Sequence, residues 1–313
     1  MSKNKLVIIA GPTAIGKSDI GVELAKIIGG EIISADSMQV YKGMDIGTAK
    51  INKDEMQNIP HYLVDVLDPK DDFNIVFFKE EAKRLIEDIN CRGNIPIIVG
   101  GTGFYIQSVL YDIDFEDTVE NTEYRENLTK LAKEKGPIYL HDMLKNVDSK
   151  SAENIHYNDL KRVIRALEYF EQTGRKISDH NEMESQKESP YNYSFFVLSD
   201  DRERIYDRID NRVDKMIELG LVDEVKSLLD NGLNRDFVSM KGLGYKEIIA
   251  FLEGEISLEE AIRIIKRDTR HFAKRQITWF KREKDVIWID KDNNQLMLNK
   301  MLNILKEKGI FNN

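Results

Sequence analysis

The chain has 313 residues, 41% hydrophobic and 32% charged, with a net charge of −9, enough for one large or two modest domains with a true core. No stretch approaches the roughly 18 to 20 apolar residues of a membrane span, and Met1-Ser2-Lys3-Asn4-Lys5 leads straight into an apolar strand instead of a signal peptide, so a cytoplasmic protein with no membrane attachment is expected. The single cysteine, Cys91, excludes an internal disulfide and any cysteine-cluster zinc site, and ahead of Arg92-Gly93 it reads as a helix-end residue.

In chain order, the first element is the apolar run Leu6 to Ala10, a strand. Directly after it comes Gly11-Pro12-Thr13-Ala14-Ile15-Gly16-Lys17-Ser18, a complete phosphate-binding loop in the strand-to-helix setting that such a loop requires. Gly11 and Gly16 let the backbone bend so that successive N–H groups point inward. A helix starting near Lys17 adds its positive dipole end. Lys17 supplies a mobile cation and Ser18 a hydroxyl for Mg²⁺, while the identity of the phosphate compound stays open.

Further short, β-branched runs bounded by turn residues follow at Glu31 to Ser34, His61 to Val66, Ile95 to Val99, Ser194 to Leu198 and Val286 to Ile289. Helical periodicity appears at Asp19 to Ile28, Phe73 to Asn90 and Phe104 to Tyr111. This alternation predicts an α/β, phosphate-loop NTPase-like core with a mostly parallel central sheet flanked by helices. Ligands of such sheets bind at the carboxyl ends of the strands, which singles out two loops, Asp36 to Lys50 and Gly100 to Tyr105. Asp36, at the end of a strand beside the phosphate loop, can act as a general base or a metal partner, or simply cap a turn.

Between Phe115 and Tyr191 the pattern turns to charged helical segments, Tyr124 to Lys135, Ile138 to Lys145 and Leu160 to Gln172, with no strand among them. The expected organisation is a core in two parts, 1–114 and 192–313, interrupted by an all-helical insertion at 115–191. Asp179 to Pro190 reads as a flexible connection. Arg202 to Leu229 reads as one long amphipathic helix carrying Arg208 and Arg212 on one face, and Leu296 to Lys308 as a closing helix.

The acidic total hides basic clusters. From Arg263 to Lys284 nine Lys or Arg face only Asp268 and Glu283, a local balance of +7, and a second cluster holds Lys161, Arg162, Arg165, Arg175 and Lys176. Such runs form either a nucleic-acid surface or a solvated helix face.

The strings GPTAIGKS, ISADSMQVYKGMDIGTAK, GGTGFY, NDLKRVIRALE, RIDNRVDKM, KGLGYKE and TRHFAKRQITWFKRE, in this order and spacing, resemble the bacterial tRNA dimethylallyltransferases over roughly Lys5 to Ile289. The resemblance implies transfer of a dimethylallyl group from dimethylallyl diphosphate to the exocyclic amine of the adenosine 3′-adjacent to a tRNA anticodon, with Mg²⁺ as cofactor. It assigns catalytic roles to Asp36 as base and to Lys17, Arg212 and Thr102, and gives the diphosphate to Gly11, Pro12, Thr13, Ala14, Ile15, Gly16, Lys17 and Ser18. Ser18 would also hold the metal. The tRNA contacts it implies are Asp36, Ser37, Met38, Gln39, Thr102, Arg125, Lys161, Arg162, Arg165, Lys241, Gly244, Tyr245, Lys246, Lys274, Arg275, Gln276, Trp279 and Lys281. Ile15 departs from the small residue common at its position and is expected to narrow the channel. No Cys and His finger follows Ile289, so zinc is not expected, and a monomer is the default. The competing reading of the loop is a small-molecule or nucleotide kinase, in which it holds ATP and Asp36 activates a hydroxyl.

Overall fold

The computed structural model describes residues 3–115 and 122–312. Met1 and Ser2, residues 116–121 of the expected insertion and Asn313 therefore lie outside the description. The chain forms two compact units, one running to Leu110 and resuming at Pro190, the other Tyr111–Ser189.

The first unit opens with β1 (Lys5–Ala10), the phosphate loop and α1 (Lys17–Ile28). It continues through β2 (Gly30–Ala35), a single turn α2 (Lys53–Met56), β3 (His61–Tyr62), α3 (Ile75–Cys91), β4 (Ile95–Gly100) and α4 (Gly103–Leu110). The second unit is α5 (Thr122–Lys135), α6 (Pro137–Val147), α7 (Ser149–Asn154), α8 (Leu160–Thr173) and α9 (Ile177–Ser185). The first unit then resumes with β5 (Asn192–Ser199), α10 (Arg202–Glu218), α11 (Leu221–Asp230), α12 (Tyr245–Leu252), α13 (Leu258–Phe280), β6 (Val286–Asp290) and α14 (Asn294–Glu307).

The six strands form one sheet in the order β3-β2-β4-β1-β5-β6, every neighbouring pair parallel. Parallel strands need both faces covered, and the sequence supplies this with continuous apolar runs. All six residues of β2 and of β4 are buried. Ile9, Ile20, Leu24, Ile97, Phe196 and Met301 belong to one core between the sheet and its helices. Strand β1 lies between β4 and β5, so the chain order reverses beside it, and the phosphate loop at its carboxyl end occupies the position where such folds bind ligands.

Three elements differ from the sequence reading. The run His61 to Val66 leaves the sheet after Tyr62, because Leu63 and Asp65 take positive φ of 60° and 55°. Asp65 and Val66 then donate their N–H groups to Gln39 and Val40, so this run braces the Asp36 to Lys50 loop. The helix expected over Arg202 to Leu229 breaks at Gly220, whose φ of 98° only glycine adopts without strain. The segment read as a flexible connection from Asp179 contains most of α9, which is docked by the Ser178 N–H on the buried Asp148 carboxylate at 3.0 Å and by Lys150 to Glu182 at 2.7 Å. Near its other end Glu184 accepts the Asp114 N–H at 2.8 Å, so its polar composition reflects a helix anchored through polar contacts.

The second unit packs Leu128, Leu140, Leu144, Val163 and Leu167 into its own core. No described helix is long and apolar enough to cross a membrane.

Candidate active site

The phosphate loop is bent by two glycines. Gly11 has φ 144° and lies so close to β5 that a Cβ would stand 2.8 Å from the Leu198 carbonyl oxygen, while Gly16, at φ 89°, caps α1 without a side chain. The first turn of that helix thus keeps N–H groups free for an anion. Ile15, expected to narrow a channel, is instead 1% exposed and belongs to the core beneath the loop. Its bulk anchors the loop from below and reaches no ligand space.

The carboxyl ends of β2 and β4 bring their loops to the same place. Asp36 follows β2 directly. Its Oδ1 accepts the N–H groups of Met38 at 2.9 Å and Gln39 at 3.3 Å, so the turn-capping role is real. Its Oδ2 takes no hydrogen bond from the described residues and remains available for chemistry. Thr102, after β4, donates its N–H to the Ala35 carbonyl at 3.4 Å.

Two cations converge here. Lys17 Nζ donates to the Pro12 carbonyl at 2.8 Å, and its pKa is pushed down to about 8 by burial, against the pull of Asp36 and with the repulsion of Arg212. Arg212, from α10, reaches Thr13 Oγ1 at 3.3 Å and the Ala49 carbonyl at 3.4 Å. Burial lowers its pKa too, opposed by Asp36, Asp19 and Glu55. The Tyr105 hydroxyl is pushed up to about 12 by burial, with Tyr41 and Asp36 adding to it, and so stays protonated. Asp36 thus lies within the field of Lys17, Arg212 and Tyr105. Mutually repelling cations in a partly desolvated pocket are an anion site.

Ser18 makes no side-chain hydrogen bond among the described residues and borders a cavity of about 20 Å³ with Ser34, Gln39 and His61, room for one water molecule. No group of three His, Cys, Asp or Glu side chains able to hold a metal occurs among the described residues. The Ser18 hydroxyl suits a hard cation that draws its remaining ligands from phosphate and water.

The loop from Asp36 to Lys50 is held by Glu224 and Lys50, to which the sequence reading gave no role, and by Gln39 and Tyr245, which the resemblance assigned to tRNA. Glu224 of α11 accepts the N–H groups of Asp45 at 2.9 Å, Ile46 at 2.7 Å and Gly47 at 3.0 Å, together with the Tyr245 hydroxyl at 2.7 Å. Lys50, its side chain only 4% exposed, bridges the Tyr41 carbonyl, Asp45 and Asp65. Gln39 Nε2 reaches the Thr48 and Ala49 carbonyls. Because Ala49 also receives Arg212, bracing this loop positions that guanidinium.

The residues matched to tRNA contacts fall into two groups. Ser37, Lys161, Arg162, Lys241, Lys246, Lys274, Arg275 and Lys281 present at least part of their surface, and the last three have no ion pair among the described residues. Farther back on α13 the basic run is neutralised, Arg263 by Glu260, Lys266 by Asp214, Arg267 by Asp268 and Arg270 by Asp210. The other group is engaged within the protein. Tyr245 is 1% exposed and Gly244 buried; Gln276 accepts the Thr13 N–H at 2.9 Å and donates to the Gly101 carbonyl at 3.0 Å. Trp279 packs edge-on to Phe104, and Met38 lies against Gly242. In the second unit Arg125 forms a two-pronged pair with the fully buried Glu168 at 2.9 and 2.8 Å, joined by Arg165 at 3.1 Å. Removing Arg125 would strand a buried charge.

Residues 39–283 match the family model described as IPP transferase. The chain belongs to this family. It is 58% identical over 309 residues to a tRNA dimethylallyltransferase of Lachnoclostridium phytofermentans, covering 98% of this chain and 99% of that relative. Among solved structures it resembles a tRNA isopentenylpyrophosphate transferase of Bacillus halodurans at 44% identity and TM-score 0.74, covering 98% of each chain. A eukaryotic dimethylallyltransferase described as acting on tRNA matches at 31% identity and TM-score 0.80, over 96% of this chain and 78% of its own. In this IPP transferase family member, Gly47 leaves no room for a side chain, since a Cβ would lie 2.5 Å from the Tyr245 ring. Gly47→Ala is therefore expected to displace the Glu224-held loop and lower transferase turnover by about tenfold or more, with the circular dichroism spectrum unchanged.

Proposed function

We propose that the chain transfers a dimethylallyl group from dimethylallyl diphosphate to the exocyclic amine of the adenosine adjacent, on the 3′ side, to a tRNA anticodon. The observation that carries the reading is a phosphate loop whose cations, Lys17 and Arg212, share their field with a half-free carboxylate, Asp36, in a chain of the IPP transferase family.

The loop N–H groups, Lys17 and Arg212 bind the diphosphate and stabilise it as a leaving group. The amine nitrogen attacks the allylic carbon, the carbon–oxygen bond breaks with its electron pair going to diphosphate, and the amine proton passes to Asp36 Oδ2. An amine conjugated to the adenine ring is a weak nucleophile, so holding it against carbon and base does much of the catalysis. Ser18 would hold Mg²⁺, which would supply further neutralisation of the leaving diphosphate. The target base is stacked in the anticodon loop and must be pulled out. Exposed Lys274, Arg275 and Lys281 provide cations for the loop's backbone, and the helical unit offers Lys161 and Arg162 of its own for RNA. The binding partner is thus a tRNA anticodon stem-loop, and one chain is proposed to suffice.

Incubation with Mg²⁺, dimethylallyl diphosphate and unmodified tRNA, followed by nucleoside mass spectrometry, is expected to show prenylated adenosine, and none when AMP or ADP replaces tRNA. ATP-dependent phosphorylation of a small metabolite without prenylation would contradict the reading. Asp36→Asn keeps an oxygen to cap the turn, so stability and tRNA affinity should stay within a few fold while turnover falls about a hundredfold or more; near-normal turnover would remove Asp36 as base. Lys17 sets a pH dependence. Its pKa is about 8 in the free protein and rises beside a bound anion, so dimethylallyl diphosphate binding takes up a proton above pH 8. Affinity should be flat below that pH and fall up to about tenfold per unit above it. Calorimetry at pH 8.5 in buffers of different protonation enthalpy reads this uptake; equal affinities at pH 7 and 9 would count against it.

A further inference from the structure

The residue after β6 lies beside the phosphate loop, although no motif marks it. Lys291 donates its N–H to the Ser199 carbonyl at 2.7 Å, and the Ser199 hydroxyl donates to Asp290 at 2.7 Å, so the carboxyl ends of β5 and β6 are tied together. The preceding residue of β5, Leu198, is the one Gly11 leans on. The backbone of Lys291 is therefore fixed to the same strand end that supports the loop.

Its side chain turns to the other glycine of that loop. Lys291 Nζ stands 3.1 Å from the point a Cβ on Gly16 would occupy, and the next nearest atom to that point is Asp19 Oδ2 at 3.6 Å. Lys291 and Asp19 form no ion pair, and Nζ makes no hydrogen bond among the described residues. A cation beside the N-terminal end of α1 opposes the helix dipole. It also adds a further positive charge to a loop that already holds Lys17 and Arg212, whose guanidinium opposes the charge on Lys17. Asp19 offsets part of this repulsion. A multiply charged anion on the loop would turn the whole arrangement from repulsive to attractive.

We propose that Lys291 is a third cationic ligand of the diphosphate, reaching it from the Gly16 side of the loop. This rests on the reading of the phosphate loop as the diphosphate site. Lysine suits the role, because a point charge on a flexible stem can follow the leaving group as its charge develops. Phosphate-loop sequence patterns could not reveal it, since 273 residues separate Lys291 from Ser18 and only the parallel pairing of β5 with β6 brings it there.

The test measures binding of inorganic diphosphate by calorimetry to the wild-type protein, Lys291→Met and Lys291→Arg, with anticodon stem-loop binding and melting temperature measured alongside. Lys291→Met should weaken diphosphate binding about 5- to 30-fold, the range for losing one partly solvated charge-assisted contact. Lys291→Arg should stay within about threefold of wild type, and neither variant should alter stem-loop affinity. Unchanged diphosphate affinity in Lys291→Met, with or without a lower melting temperature, overturns the proposal and leaves Lys291 as a counter-charge to Asp19. A wild-type protein that does not bind diphosphate would overturn the diphosphate reading itself.

Discussion

A phosphate loop works only if its N–H groups stay unpaired and pointed inward, so it has to be held from outside. In this chain the hold comes from one side chain far away in sequence. Gln276, on α13, accepts the Thr13 N–H and donates to the Gly101 carbonyl, fastening the loop after β1 to the loop after β4. Below, Ile15 is driven into the core; beside it, Gly11 fits against Leu198. The hold takes one of the loop's own amides, that of Thr13, and fixing the loop at three points is the preorganisation an electrostatic site requires.

The second loop, Asp36 to Lys50, is braced in the same manner by different chemistry. Glu224 gathers three consecutive N–H groups and the Tyr245 hydroxyl, and Lys50 closes the loop on Asp45 and Asp65. These contacts, partly buried around Glu224, Tyr245 and Lys50, form a network, so losing one member unsettles the rest. The network ends at Ala49, on which Arg212 rests. α11 and α12 therefore bear on the diphosphate site without touching it.

Much of this was legible in the sequence, for identifiable reasons. Buried parallel strands read as continuous apolar runs, and five of the six were visible in that way, while of the run His61 to Val66 only His61 and Tyr62 joined the sheet; the phosphate loop was visible because its chemistry fixes both residue types and spacing. Asp36, Lys17, Thr13 and Arg212 are brought together because they lie at strand ends or on the helix facing them. What could not be read was burial. Tyr245 and Gln276 lock loops and Arg125 neutralises a buried carboxylate, contacts that only tertiary packing reveals. The same holds for the basic run at 263–284, whose first half is consumed by Asp210, Asp214 and neighbouring acids, while Lys274, Arg275 and Lys281 form no ion pair among the described residues. Glu224 carried no signal at all, since a glutamate on an amphipathic helix looks like solvent-facing charge. A clue lay in Gly220, which breaks the helix and turns α11 toward the Asp36 to Lys50 loop.

The central claim is that the Gln276 bridge sets the geometry of the phosphate loop. Gln276→Leu has nearly the same size but leaves the Thr13 N–H and the Gly101 carbonyl without their partner. The decisive measurement is the affinity of this variant for dimethylallyl diphosphate and, separately, for an anticodon stem-loop. The account predicts that diphosphate binding weakens at least about tenfold while stem-loop binding is unchanged. Unaltered diphosphate binding with lost stem-loop affinity would contradict it and make Gln276 an RNA contact.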